Sequence, residues 1–391
     1  MSPALRVVVA PDSFGGALDS VAAAEAIARG WASIRPDDTI LQIPMADGGE
    51  GTLTAIAAAN GEQVTRQVCA TVDPLGRAVE AAWLAMDEGR SAFVEMAEAS
   101  GLARLSVAER TPANARVAST RGTGTVIRAV LDAGARRIVV GLGGSATTDG
   151  GAGLLVELGL RLLDARGEQL PDGGAALSNL DHVEVDDLDP RLAETEIVIA
   201  SDVTNPLTGP AGAAATFATQ KGANAATVAE LDAALVRWGA EIRRATGRDV
   251  TDVAGAGAAG GTTAGLLGFT SAVVLPGVEE VAELVGLTAA LQDADLVLTG
   301  EGRADEQTLA GKAALGVARY ARGIPVALLC GGLGRGAEIL EASGAFAVVQ
   351  PIIDRPIDLD SAMADTERLL ANAAARVART IGIGRRLGAR R

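Results

Sequence analysis

Short apolar runs recur along this chain, each followed by a glycine-rich polar turn and then by an alanine-rich helical pattern. The first is Leu5 to Ala10, followed by Pro11-Asp12-Ser13-Phe14-Gly15-Gly16 and a helix from about Ser20 to Ile34. Others are Ile138 to Leu142, Ile197 to Ala200, Leu296 to Thr299, Val326 to Cys330 and Ala345 to Val349. A strand that is apolar on both faces and followed by a helix belongs to a mostly parallel sheet covered on both sides. Residues 64–95 and 160–196 have a different texture, with short strands, turns and an acidic stretch from Asp181 to Asp189. The expected fold is therefore two-domain α/β. A discontinuous Rossmann/flavodoxin-like parallel-sheet domain spans residues 1–75 and 280–391. A second α/β domain with glycine-rich loops is inserted over 76–279, and the active-site cleft is expected between the two. Enzymes built on open parallel sheets bind ligands beyond the carboxyl ends of the strands, which is where this sequence places its polar glycine turns.

A formal charge of −15 argues against nucleic acid as a partner. No long uncharged apolar stretch suits a membrane span, and the first residues read as a strand, so the cytoplasm is the expected compartment. Cys69 and Cys330 are the only cysteines and read as buried free thiols. His182, the only histidine, reads as a surface residue. Lysine is confined to Lys221 and Lys312, both beside glycine, in a chain that uses arginine for every other positive side chain. A compact ammonium suits a phosphate group. The arginines of the tail, including Arg390 and Arg391, read as a solvated helix face and a frayed end.

Six segments are candidates for chemistry. Asp12 directs a carboxylate from the first strand end toward a hydroxyl or a metal, or else caps the next helix; Ser13 and the glycine N–H groups beside it suit an anion. Asp47-Gly48-Gly49-Glu50-Gly51 offers Asp47 and Glu50 on a tight turn. The run from Gly141 to Gly153 contains Gly143, Gly144, Ser145 and Thr147, and has the composition of a phosphate loop, although neither the dinucleotide fingerprint nor the Walker motif is present. Asp202 follows another strand and is the first choice for orienting and deprotonating a hydroxyl or holding Mg²⁺, with Asn205 nearby. The run from Gly255 to Gly265, with Gly257, Gly260 and Gly261, serves either a ligand or close helix packing. A loop after Thr299 supplies Glu301, Arg303, Asp305 and Gln307, with Lys312 beyond.

These segments together resemble the bacterial glycerate kinase family, type I (glycerate 2-kinases), over roughly residues 5–350. The matches include Ala10-Pro11-Asp12-Ser13-Phe14, Pro44-Met45-Ala46-Asp47-Gly48-Gly49-Glu50-Gly51 and Thr120-Arg121-Gly122-Thr123-Gly124. They continue with Gly143-Gly144-Ser145-Ala146-Thr147, Asp202-Val203-Thr204-Asn205-Pro206-Leu207, Gln220-Lys221-Gly222-Ala223 and Thr299-Gly300-Glu301-Gly302-Arg303. The resemblance implies ATP and Mg²⁺, with D-glycerate converted to 2-phosphoglycerate by a monomer or homodimer. On that reading Asp202, Asp12, Arg303, Asp305 and Lys312 are the catalytic candidates. The cofactor candidates are Gly143, Gly144, Ser145, Thr147, Gly257, Gly260, Gly261 and Lys221. Ser13, Asp47, Glu50, Asn205, Glu301 and Gln307 are expected at the substrate, and Asp202 and Glu301 at the metal. One position departs from the family pattern: the usual lysine after Asp-Ser-Phe is Gly15. The alternatives this raises are a kinase for another small hydroxy or sugar acid, or a ligand-binding protein of the same fold with little turnover. Gly16 alone is expected to suffice for the turn.

Overall fold

The computed structural model describes residues 4–310 and 313–388. The chain forms two compact units. The first comprises residues up to Asp47, Thr54–Gly61, and everything from Val278 onward; the second comprises Gly48–Leu53 and Glu62–Gly277.

The first unit is built on a five-stranded sheet in the spatial order Val348–Pro351, Val326–Leu333, Leu296–Ala304, Arg6–Pro11, Thr39–Gln42. Every pairing in it is parallel. Counted within this unit the order is 2-1-3-4-5, the doubly wound flavodoxin-like arrangement, whose switch point lies between the first and third strands. Here those strands are Arg6–Pro11 and Leu296–Ala304, in register from Val7 opposite Leu296 to Pro11 opposite Gly300. The strand Arg6–Pro11 is buried from Val7 to Pro11, so it reads as a continuous apolar run. Helix Ser20–Ala32 starts where the Asp19 side chain accepts the Ala22 N–H at 2.8 Å. It buries Ala23, Ala24, Ile27 and Trp31 against Leu369, Leu370, Ala373 and Val377 of the helix Thr366–Gly388. A Cβ on Gly30 would lie 2.0 Å from the Ala371 carbonyl oxygen, so glycine sets how closely these helices approach.

The second unit holds a mixed six-stranded sheet, in the order Val273–Leu275, Glu196–Ala200, Arg137–Gly141, Ser91–Glu95, Ala78–Met86, Thr65–Val72. The first four strands pair in parallel, and Ala78–Met86 pairs antiparallel with both its neighbours. The strand Thr65–Val72, expected in the first domain, pairs along its whole length with Ala78–Met86 and belongs to this sheet. The core here includes Trp238 stacked on Phe269, with ring centroids 5.6 Å apart.

Two details differ from the sequence reading. Leu296 does not begin a strand that stops at Thr299: the strand runs to Ala304, with Arg303 opposite Gly332. Glu301 and Arg303 are thus strand residues two apart, on one face of the sheet. Cys330 is buried, its thiol pushed up to about 12 by burial, but Cys69 is only half-buried. Among the described residues no helix is long and apolar enough to cross a membrane.

Candidate active site

The carboxyl ends of the two switch-point strands open into a cavity of about 840 Å³ within the first unit. Asp12, Ser13, Asp47, Glu301 and Arg303 line one side of it. Asp12 is anchored through its backbone, its N–H donating to the Gly300 carbonyl at 2.8 Å. Its Oδ1 accepts the Ser13 N–H at 2.6 Å. Burial first, and then the like charges of Asp47 and Glu301, push the Asp12 carboxyl up to about 7. Glu301 is 5% exposed and accepts the Thr308 hydroxyl at 2.6 Å. Arg303 is exposed, with Nε 3.1 Å from Asp305 Oδ2, so Asp305 holds the guanidinium at the rim. Lys312 and the side chain of Gln307 lie outside the described residues.

The glycines of Thr299-Gly300-Glu301-Gly302 make this geometry possible. A Cβ on Gly300 would lie 2.9 Å from the Leu329 carbonyl oxygen, and one on Gly302 would lie 3.2 Å from Gly15 N. Gly15 and Gly16 both adopt left-handed backbone, at φ +48° and +78°, so the turn uses both glycines rather than Gly16 alone. Gly15 lines the cavity, with nothing within 4 Å of where its Cβ would be.

In the second unit the remaining candidates fall into a layered set of loops. Gly48 and Gly49 cross the end of strand Arg137–Gly141. The Gly143 N–H donates to the Gly48 carbonyl at 3.1 Å, and a Cβ on Gly143 would lie 2.2 Å from Gly49 Cα. Glu95, at the end of its own strand, fastens this crossing by accepting the Gly51 N–H at 3.0 Å and the Leu53 N–H at 2.8 Å. Burial, then the negative charges of Glu98 and Glu50, push Glu95 up to about 7 despite both bonds. Glu50 is exposed beside it. Glu95 was not among the sequence candidates.

The loop from Gly141 to Gly153 is mostly buried, and Gly144, at φ +72°, is its exposed point. Lys221 is 3% exposed. Its Nζ donates to Ser145 Oγ at 2.8 Å and to the Thr147 carbonyl at 2.6 Å. Burial brings its ammonium down to about 7. Lys221 therefore ties down the loop from within instead of presenting a surface charge. Thr147 is buried, with no hydrogen-bond partner for Oγ1 among the described residues. Asp149 is fully buried and accepts from Thr120 N and Oγ1 and from Gly151 N and Gly153 N. Burial raises its pKa. Arg121 is taken up by Asp172 at 2.7 Å and Glu157 at 3.1 Å.

Three of the expected cofactor residues have their space filled by protein. A Cβ on Gly257 would lie 2.2 Å from the Pro206 carbonyl oxygen. On Gly260 it would lie 2.0 Å from that of Thr147, and on Gly261 2.7 Å from Leu207 Cδ1. These glycines let the start of helix Ala258–Phe269 pack directly on neighbouring backbone. The Asn205 amide donates to the Ala211 carbonyl at 2.7 Å and to Thr216 Oγ1 at 3.2 Å. Asp202 is exposed and accepts the N–H of Gly277, the first residue of helix Gly277–Leu284, at 3.0 Å.

The profile of the glycerate kinase family matches residues 7–382. A Bacillus subtilis (strain 168) protein named glycerate kinase is 41% identical over 97% of this chain and 99% of its own length. An Escherichia coli (strain K12) protein named glycerate 2-kinase is 40% identical over 98% of this chain and 99% of its own. The crystal structure of a Salmonella typhimurium LT2 protein assigned as glycerate kinase 2 superposes with a TM-score of 0.84 at 40% identity, covering 98% of this chain and all of that one. With matching extent, order of motifs and fold, the chain belongs to the glycerate kinase family.

Proposed function

We propose that the protein transfers the terminal phosphoryl group of ATP to the 2-hydroxyl of D-glycerate in the cytoplasm, and that Asp12 is the carboxylate that takes the hydroxyl proton. The observation that carries this is Asp12 itself: a carboxylate at the switch point, lining a cavity together with Asp47 and Glu301. Asp202, placed first on sequence grounds, is occupied with the Gly277 N–H and is the weaker candidate.

A kinase needs the phosphate charge neutralised. Among the described residues no three His, Cys, Asp or Glu side chains form a closed metal cage. Mg²⁺ does not require one: it is commonly held by one or two carboxylates, with water and phosphate oxygens completing the shell. The excess negative charge around Asp12 fits that chemistry, and Glu301 and Asp47 are the residues that would hold the ion. Bound there, it would screen the charge on the donor phosphates. Arg303, at the rim, faces the same space and suits an anionic group.

The direct test is incubation of the purified protein with ATP, Mg²⁺ and D-glycerate, followed by phosphorus NMR. The expected product is 2-phosphoglycerate together with ADP. A 3-phosphate product would correct the regiochemistry, and turnover only with another hydroxy acid would replace the substrate.

Gly15 offers a second measurement. With Arg121 and Lys221 committed elsewhere, Arg303 is the described cation at the cavity. Gly15→Lys adds a charge in open space. A charge-assisted contact is worth roughly 1.5–3 kcal/mol, which corresponds to about ten- to a hundredfold in kcat/KM if made in the transition state. The left-handed backbone takes roughly 1–2 kcal/mol from stability in return. The expected variant is faster and slightly less stable. Equal or lower kcat/KM in a folded variant would show that the charge is already supplied.

A further inference from the structure

The cavity beside Asp12 has lining residues that the phosphoryl chemistry leaves unused. Besides the carboxylates its lining is aliphatic, with Leu333, Ile352, Ile353, Ile357, Leu359 and Met363. Leu333 is 53% exposed, Ile353 38%, Leu359 73% and Met363 37%, so one concave surface gathers four large apolar side chains facing solvent. At about 840 Å³ the cavity is of the size that encloses drug-sized ligands. A three-carbon acid would fill only a small part of it.

Two glycines, Gly331 and Gly332, lie on this wall at the end of strand Val326–Leu333. The fold explains the first: a Cβ on Gly331 would lie 2.3 Å from the Gly302 carbonyl oxygen. It does not explain the second. Gly332 has no left-handed φ, and nothing lies within 4 Å of where its Cβ would be. Glycine within a strand costs roughly 0.5–1 kcal/mol relative to alanine. A strand glycine with no packing reason often marks a bulge, a bend or a site where a ligand approaches the backbone closely, and Gly332 sits in register opposite Arg303 with no bulge.

We infer that Gly332 and the aliphatic wall around it seat the purine base of the nucleotide, with its phosphates reaching toward Asp12, Asp47 and Glu301. This rests on the kinase reading above. The occupant follows from the mixed lining of one cavity, which suits a flat apolar group joined to a polyanion that brings a cation to the carboxylates. Phe14 is the aromatic lining residue and is itself buried, so the base would lie on aliphatic side chains and bare backbone.

Gly332→Val tests this, because the new side chain projects into open cavity and valine suits a strand. The readouts are calorimetric binding of ATP with Mg²⁺, calorimetric binding of inorganic tripolyphosphate with Mg²⁺, the two KM values, and the unfolding midpoint. The expected result is ATP binding and KM for ATP weakened about tenfold or more. Tripolyphosphate binding, KM for glycerate and the unfolding midpoint stay within about twofold or unchanged. Leu359→Asp is the companion variant. Its site is exposed at the first turn of helix Leu359–Ala364, where a carboxylate is tolerated, and the same selective loss of ATP binding is expected. Unchanged ATP binding in both variants overturns the inference, as does a loss confined to glycerate or an equal loss of tripolyphosphate. Wild-type protein that binds ATP but leaves glycerate untouched defeats the proposed reaction, and in that case selective loss of ATP binding in the variants still supports the base seat.

Discussion

Asp12→Asn should lower kcat by about a hundredfold or more, since positioned proton transfer is worth at least roughly that much, while making the metal-free protein more stable at pH 8. The two effects come from one carboxylate. Its folded-state pKa of about 7 lies above the ordinary 3.8, so the folded chain binds this proton more tightly than the unfolded chain does. The associated stability is fully present below about pH 4 and is lost as the pH rises through about 7. In Mg²⁺-free buffer the thermal midpoint of the wild type should therefore carry a decline across that window that the Asn variant lacks. Added Mg²⁺ should restore more stability to the wild type than to the variant. Asp202→Asn is the informative comparison, because asparagine keeps an oxygen for the Gly277 N–H. A large loss of kcat there with Asp12→Asn near wild type would move the base to Asp202.

Gly260→Ala should destabilise the second unit by roughly 2–5 kcal/mol. The new Cβ would meet the Thr147 carbonyl oxygen at 2.0 Å and Thr148 Cα at 2.6 Å. Both are backbone atoms that cannot rotate away, and overpacking of this kind costs about 1–3 kcal/mol. The left-handed φ of +68° adds roughly 1–2 kcal/mol. Gly247→Ala separates the two contributions. That glycine ends helix Ala225–Thr246 at φ +76° with nothing within 4 Å of its Cβ, so only the backbone penalty applies. Denaturant unfolding of both variants, followed by tryptophan fluorescence and far-UV circular dichroism, gives the comparison. A Gly260→Ala protein of wild-type stability that binds ATP poorly would restore Gly260 to the nucleotide site.

The parallel strands were legible because a strand buried on both faces is a nearly unbroken apolar run, as in Val7-Val8-Val9 and Ile197-Val198-Ile199. The extension of Leu296–Ala304 through Gly300, Glu301, Gly302 and Arg303 was not. Those residues favour strands weakly, and it is pairing with Val326–Leu333 that holds them extended. Asp12 and Glu301 were visible as carboxylates at strand ends. The role of Glu95 was hidden, because a carboxylate capping a loop more than forty residues earlier leaves no local pattern. In the glycine loops composition leaves two readings open. Bare backbone is equally required for approach to a ligand and for approach to another loop. At Gly257, Gly260 and Gly261 the neighbour is the protein itself.

The strand order of the first unit also sets a timetable for synthesis. Thr299 Oγ1 donates to the Ala10 carbonyl across a sequence separation of 289 residues, between the two strands at the centre of the sheet. At roughly 5–20 residues per second, the ribosome delivers that partner about 15–60 s after the first strand has left it. The second unit is made in that interval from a nearly continuous stretch of chain. The nascent first strand, apolar on both faces, meanwhile has helix Ser20–Ala32 and the short edge strand Thr39–Gln42 for company, while its other edge waits unpaired for Leu296–Ala304.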